Sequence, residues 1–123
     1  MNRALRWGTV GCYLGVLTLL LVRPMPEGPQ LFPQADKVAH FIALGLMATL
    51  LLRAMTRAEA DRPGKTAWIT AILVSVGYAV GMEFVQARVG RDCSFWDMAT
   101  GTLGIVVLTI LWDRVRTLSA FLR

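Results

Sequence analysis

Histidine and cysteine are scarce: the chain has one of the first and two of the second in 123 residues. Two cysteines make no disulfide framework, and one histidine excludes any site built on several imidazoles. His-Glu-x-x-His, Gly-x-Ser-x-Gly, phosphate-loop and Cys-x-x-Cys motifs are all missing, so no familiar catalytic signature guides the reading. Acidic residues are few as well, 8 against 13 basic ones, for a net charge of +5. The basic residues are not interleaved with aromatics, which argues against a nucleic-acid surface. Internal repeats and low-complexity segments are also absent, and the length fits one domain spanning residues 1–123.

What the chain has in quantity is apolar residues. They make up 55% of it, and the mean hydropathy of +0.54 exceeds that of a typical soluble domain. Uncharged runs cover Trp7–Val22, Val38–Leu52, Thr66–Met82 and Met98–Trp112, of 16, 15, 17 and 15 residues. Such lengths fall between a buried helix and a full membrane span. Three features favour the membrane. No run carries the polar face that each helix of a soluble bundle needs. Trp7, Trp68, Trp96 and Trp112 all stand at run ends, as an interfacial belt predicts. The basic residues also divide unevenly between the two sides. Arg3, Arg6, Arg53, Arg57, Arg62, Lys65, Arg114, Arg116 and Arg123 fall on one, and only Arg23, Lys37, Arg88 and Arg91 on the other.

The expectation is therefore an all-α bundle of four transmembrane helices, with spans at about 7–22, 38–53, 66–86 and 97–112. The positive-inside rule places both termini in the cytoplasm and the 23–37 and 86–97 connections outside. A soluble bundle remains the rival. The basic balance implies contact with anionic lipid headgroups. Cys12 within the first span and Cys93 in an outer loop would be most of a bilayer apart, beyond the roughly 7 Å Cα limit for a disulfide. They read as a packing residue and a free thiol.

In chain order, the basic start and apolar core of MNRALRWGTVGCYLGVLTLLLV resemble a signal peptide, but Arg23-Pro24-Met25-Pro26 follows where a small-x-small site would be needed. An uncleaved first span is expected, with Gly11-x-x-x-Gly15 permitting close helix approach. Four of the five prolines fall between Arg23 and Gln34, so an irregular outer loop is expected there. Asp36 and His40, one turn apart, open the second span. Glu83 and Gln86 share a face near the end of the third, together with Ala79 and Val80, and Gly77-x-x-x-Gly81 precedes them. Asp97, Gly101, Gly104 and Leu108 share a face of the fourth that is flat enough to admit another helix. Beyond Trp112, the segment reads either as a short interfacial helix or as a frayed tail.

An antiparallel four-helix arrangement brings Asp36, Lys37, His40, Glu83, Gln86, Arg91, Ser94 and Asp97 to one membrane face. A carboxylate such as Glu83 inside an apolar zone costs about 2.5–3.5 kcal/mol at a helix centre on insertion scales. It needs protein or water around it.

Asp36-Lys37-x-x-His40-Phe41, Glu83-x-x-Gln86, Arg91-x-x-Ser94-x-x-Asp97 and Gly104 resemble the VanZ-like family, named after a glycopeptide (teicoplanin) resistance protein. The resemblance covers roughly Asp36 to Leu108. The pattern departs at three positions: Leu44 stands where an aromatic is common, Met82 in place of an acid and Gly101 in place of an asparagine. Membership implies a multi-spanning protein of the bacterial cytoplasmic membrane and a link to glycopeptide susceptibility, but it supplies no reaction.

Three readings of the cluster then compete. In a structural one, Glu83 pairs with Arg91 or Lys37, Gln86 and His40 satisfy hydrogen bonds, and Ser94 with Asp97 forms a capping box. In a binding one, Lys37, Arg88 and Arg91 hold phosphate of a lipid-linked cell-wall precursor, while Gln86 and Asp97 meet its sugar or peptide groups. In an enzymatic one, Glu83, His40 and Asp97 are the catalytic candidates: Glu83 as acid or base, His40 as shuttle or as a metal ligand with Glu83 and Asp97. No cofactor and no resident metal are assigned. Membrane lipids are the expected partners, nucleic acid is not, and the oligomeric state stays open.

Overall fold

Each apolar run becomes one helix, and what ends each helix is local. The computed structural model describes residues 2–22, 35–57, 62–88 and 95–122. They form α1 (Arg3–Val22), α2 (Ala35–Met55), α3 (Lys65–Arg88) and α4 (Phe95–Phe121). Asn2 starts α1 as its N-cap: its side-chain oxygen accepts the Leu5 backbone N–H at 2.9 Å. Pro63-Gly64 interrupts the chain before α3, and the Gly64 carbonyl accepts the first turn's Trp68 N–H at 3.0 Å. α4 runs unbroken to Phe121, so the stretch after Trp112 is neither a separate interfacial helix nor a frayed tail. The proline-rich segment expected as a loop lies outside the described residues.

α2, α3 and α4 are long and apolar enough to cross a membrane, over Lys37–Met55, Lys65–Arg88 and Phe95–Ser119. Among the described residues α1 is not counted with them; Arg3 and Arg6 precede its apolar run. The packing has α2 and α3 in the middle. α1 and α4 each touch both, and α2 packs most extensively on α4.

Glycine explains that intimacy. A Cβ on Gly45 would meet the Gly104 carbonyl oxygen at 2.6 Å, and one on Gly104 would strike the Phe41 backbone. Small residues thus let two membrane helices approach to backbone contact, where packing has to supply the attraction that water supplies elsewhere. The flat face of α4 predicted from Asp97, Gly101, Gly104 and Leu108 is where this happens, with Leu108 beside Gly45. The other glycine pairs behave differently. Added methyls on Gly11, Gly15, Gly77 or Gly81 would meet nothing within 4 Å, so these four do not mediate helix contact.

The bundle is inverted relative to a soluble one. Leu19, Leu46, Leu73, Phe84 and Leu103 point outward, while Ser75, Thr109, His40, Glu83, Gln86 and Asp97 are buried. That pattern removes the soluble-bundle rival, because exposed apolar faces on all four helices would have no aqueous use. Threonines tolerate the interior by bonding backward: Thr109 Oγ1 donates to the Ile105 carbonyl at 2.6 Å, and Thr49 to Gly45 at 2.8 Å. Toward its middle and C-terminal end, α1 is held by two polar pins. Tyr13 donates to the Ala43 carbonyl at 2.6 Å, and Thr18 and Tyr78 share a hydrogen bond of 2.8 Å.

Candidate functional site

Close packing of α2 on α4 fixes the site, because it aligns the two helices in parallel with both N-termini at one end. Phe41 lies against Gly104, Leu44 against Gly101 and Gly45 against Leu108. His40, in the second turn of α2, and Asp97, in the first turn of α4, therefore stand at the same level. α3 runs the other way and delivers Glu83 near its C-terminal end. His40 is 6% exposed, Glu83 2%, Gln86 3% and Asp97 7%. Four polar side chains from three helices are thus withdrawn from solvent at one end of an apolar bundle.

His40 Nε2 lies 3.6 Å from Glu83 Oε1. That is beyond hydrogen-bonding distance but inside the range of an ionic contact. One donor atom from each of His40, Glu83 and Asp97 falls within 4.8 Å of the others. An imidazole and two carboxylates at this separation can exchange a proton or hold a cation. The backbone supplies a second electrostatic element. Two helix N-termini meet here, with Asp97 in the first turn of α4 at the positive end of its dipole.

Several expectations meet the structure directly. His40, Glu83 and Asp97 converge, and Gln86 is buried one turn beyond Glu83. Ala79 shares the buried face of α3 with Glu83 and Gln86, but Val80 does not; it is 38% exposed and points away. Lys37 sits half-buried one turn before His40, and Arg88 is exposed at the end of α3. Arg91, Ser94, Cys93 and the Asp36 side chain lie outside the described residues, and with them the Arg91 ion pair and the Ser94 capping box. Cys12 is exposed on α1 and does not pack in the interior, since its helix turns that face outward.

Sequence reasoning passed over two features. A groove of about 560 Å³ runs between α3 and α4, lined by Val80, Phe95, Met98, Ala99, Thr102, Leu103 and Val106. It shares the first turns of α4 with Asp97. At the opposite end of the bundle, Asp113 is 7% exposed and its Oδ2 accepts from Arg62 Nη2 at 3.2 Å. Arg6 Nη1 there donates to the Arg53 and Thr56 carbonyls at 3.3 and 3.1 Å, and Arg116 Nη2 to the Arg57 carbonyl at 3.2 Å. The arginines donate to carbonyls at and just beyond the end of α2. An acid directly after the fourth apolar run, on the arginine-rich side, was the signal available for Asp113.

The helices and the buried ionisable cluster define a helical membrane protein with a polar site set into one end of its bundle. A family model described as VanZ/LLP1 matches residues 10–116, and the chain belongs to that family. No curated protein matches the chain, and no solved structure does.

Proposed function

We propose that this is a four-span bacterial inner-membrane protein, both termini cytoplasmic, whose buried cluster binds the polar headgroup of a lipid-linked cell-envelope intermediate at the extracytoplasmic face. By sequestering or shielding that intermediate it lowers susceptibility to glycopeptides such as teicoplanin. The observation that carries the reading is the burial of His40, Glu83, Gln86 and Asp97 from three helices at one end of an apolar bundle. Such groups are costly in a membrane and ordinarily mark a functional site.

The groove supports it. An amphiphile needs an apolar surface near its polar partners, and the α3–α4 groove is almost wholly apolar and is lined by Phe95, Met98 and Ala99 from the same turns of α4 that carry Asp97. Its volume falls within the range of small-molecule pockets. Lys37 and Arg88 add positive charge at the same end for a phosphate. The charge distribution supports the orientation: nine basic residues fall on the side opposite the cluster and four on its own. α1 is the fourth span in this reading, pinned to α2 and α3 by Tyr13 and Thr18.

A second reading, a membrane-embedded enzyme acting on the same class of precursor, draws on the clustering of His40, Glu83 and Asp97 donors. Glu83 would then act as acid or base with His40 as its proton partner.

The test is teicoplanin susceptibility in a sensitive host carrying wild type, Glu83→Gln or empty vector, at membrane levels matched by immunoblot. Protection by wild type that vanishes in Glu83→Gln at equal abundance supports the reading. No protection by well-expressed wild type overturns the resistance role. Failure of Glu83→Gln to accumulate points to a cluster that only holds the bundle together.

A further inference from the structure

We propose that His40, Glu83 and Asp97 form a three-ligand site for a divalent transition-metal ion, zinc being the best fit to the donor set. The argument begins with a distance. His40 Nε2 and Glu83 Oε1 are 3.6 Å apart, too far for a hydrogen bond. Two ligand atoms of a tetrahedral zinc, each bonded at about 2.0–2.2 Å, stand about 3.3–3.5 Å apart. The imidazole and the carboxylate are therefore spaced as neighbouring ligands of one ion. The Asp97 donor falls within 4.8 Å of both, so a small side-chain rotation closes the third edge.

Ligand chemistry narrows the ion. One imidazole and two carboxylates suit zinc and its divalent neighbours, whereas magnesium prefers an all-oxygen shell that keeps several waters. Three protein ligands are the number found where a tetrahedral zinc keeps a fourth position for water or a substrate oxygen. Charge agrees. A divalent ion balances the charge of two ligand carboxylates in a bundle whose outer surface is hydrocarbon. Gln86, 3% exposed and one turn beyond Glu83, stands where an amide can orient a ligand carboxylate or a bound water.

The frame is suited to it as well. His40 and Asp97 are carried by the two helices whose glycines bring them to backbone contact, so the α2–α4 edge of the site is set by rigid packing. The ion would give the headgroup reading its missing chemistry, a Lewis-acidic centre for a phosphate or carboxylate oxygen. The inference shares that reading's residues and does not depend on a resistance phenotype, because metal content is read without one.

The experiment uses the full chain, purified in mild detergent with a non-histidine affinity tag, and measures metal by inductively coupled plasma mass spectrometry. Wild type is expected to hold about one zinc per chain, and the isosteric Asp97→Asn and Glu83→Gln to fall to background while eluting as monodisperse protein. Cobalt exchanged into wild type should give a visible absorption band that Asp97→Asn lacks. Zinc affinity should drop by more than about 100-fold in His40→Ala, since even removing a supporting residue costs 10–100-fold. Monodisperse wild type that neither retains zinc nor takes it up on titration overturns the proposal. So does equal metal content in wild type and in both isosteric variants. Metal-replete wild type that gives no teicoplanin protection would sink the resistance role and leave the metal site standing.

Discussion

The Leu44 side chain of α2 occupies the space that a Cβ at Gly101 of α4 would need. The space left by the absent side chain on one helix is filled by the side chain present on the other. Gly101→Ala should therefore destabilise the bundle by about 1–3 kcal/mol through overpacking. Leu44→Ala should cost about 2–5 kcal/mol by opening a cavity. The double variant should cost clearly less than the sum, because each change relieves the other. Thermal unfolding in detergent of the three proteins checks this, and strict additivity would show that the two do not share the space.

Gly104 faces backbone where Gly101 faces a side chain, and that difference sets the next expectation. A methyl at Gly104 would meet the Phe41 carbonyl group, which cannot rotate away. Helix propensity favours Gly→Ala by about 1 kcal/mol, but forced separation of α2 from α4 should outweigh it. Gly104→Ala should lose several degrees of Tm and loosen the His40–Asp97 edge. Gly77→Ala, with open space around it, should be neutral or slightly stabilising. A matched pair of melting curves is the measurement, and equal behaviour would remove backbone contact as the explanation.

How much of this was readable beforehand follows from what sequence patterns encode. Four apolar runs gave four helices in the expected places, because composition over 15 or more residues determines helix and membrane preference together. The convergence of His40, Glu83 and Asp97 was readable too, since polar residues at the ends of alternating spans must meet if the helices pack. Which small residues make contact was not readable. Gly11-x-x-x-Gly15 and Gly77-x-x-x-Gly81 match the packing motif as well as Gly101 and Gly104 do, yet they face outward. Helix rotation decides that, and helices apolar on every side carry no moment to fix their rotation. The same lack hid the outward turn of Val80. Asp113 was missed because an acid beside arginines at a span end reads as surface charge, whereas here it is buried and accepts from Arg62.

Arg6 illustrates how the end opposite the cluster is held. Its guanidinium donates to the Arg53 and Thr56 carbonyls, joining the first turns of α1 to the last turn of α2. Hydrogen bonds to a charged group contribute about 1.5–3 kcal/mol when buried, and less here because the residue is only half-buried. Arg6→Ala should therefore cost on the order of 1 kcal/mol. It should also speed amide hydrogen exchange at the end of α2 without altering exchange around His40. Arg6→Lys should recover part of the loss, since both bonds come from the single nitrogen Nη1 and an ammonium can also donate to two carbonyls. Uniform acceleration across the whole chain would contradict a local cap.

The orientation of the bundle is the last expectation, and it decides whether the cluster meets the cell envelope at all. Arg6, Arg53, Arg62, Asp113 and Arg116 are gathered at one end by hydrogen bonds between their segments. His40, Glu83 and Asp97 are at the other. The basic end should face the cytoplasm, so a fluorescent reporter active only in the cytoplasm should work when fused to either terminus, and a reporter active only outside should work when inserted near Gly90. An added cysteine at Val38 should react with a membrane-impermeant thiol reagent in intact cells, in a Cys12→Ser, Cys93→Ser background, and one at Arg57 should not. Reaction at Arg57 alone would invert the protein, and the cluster would then face the cytoplasmic pool of precursors. Fusion activity on opposite sides for the two termini would mean that α1 does not span, leaving a three-span bundle with α1 packed against it by Tyr13 and Thr18.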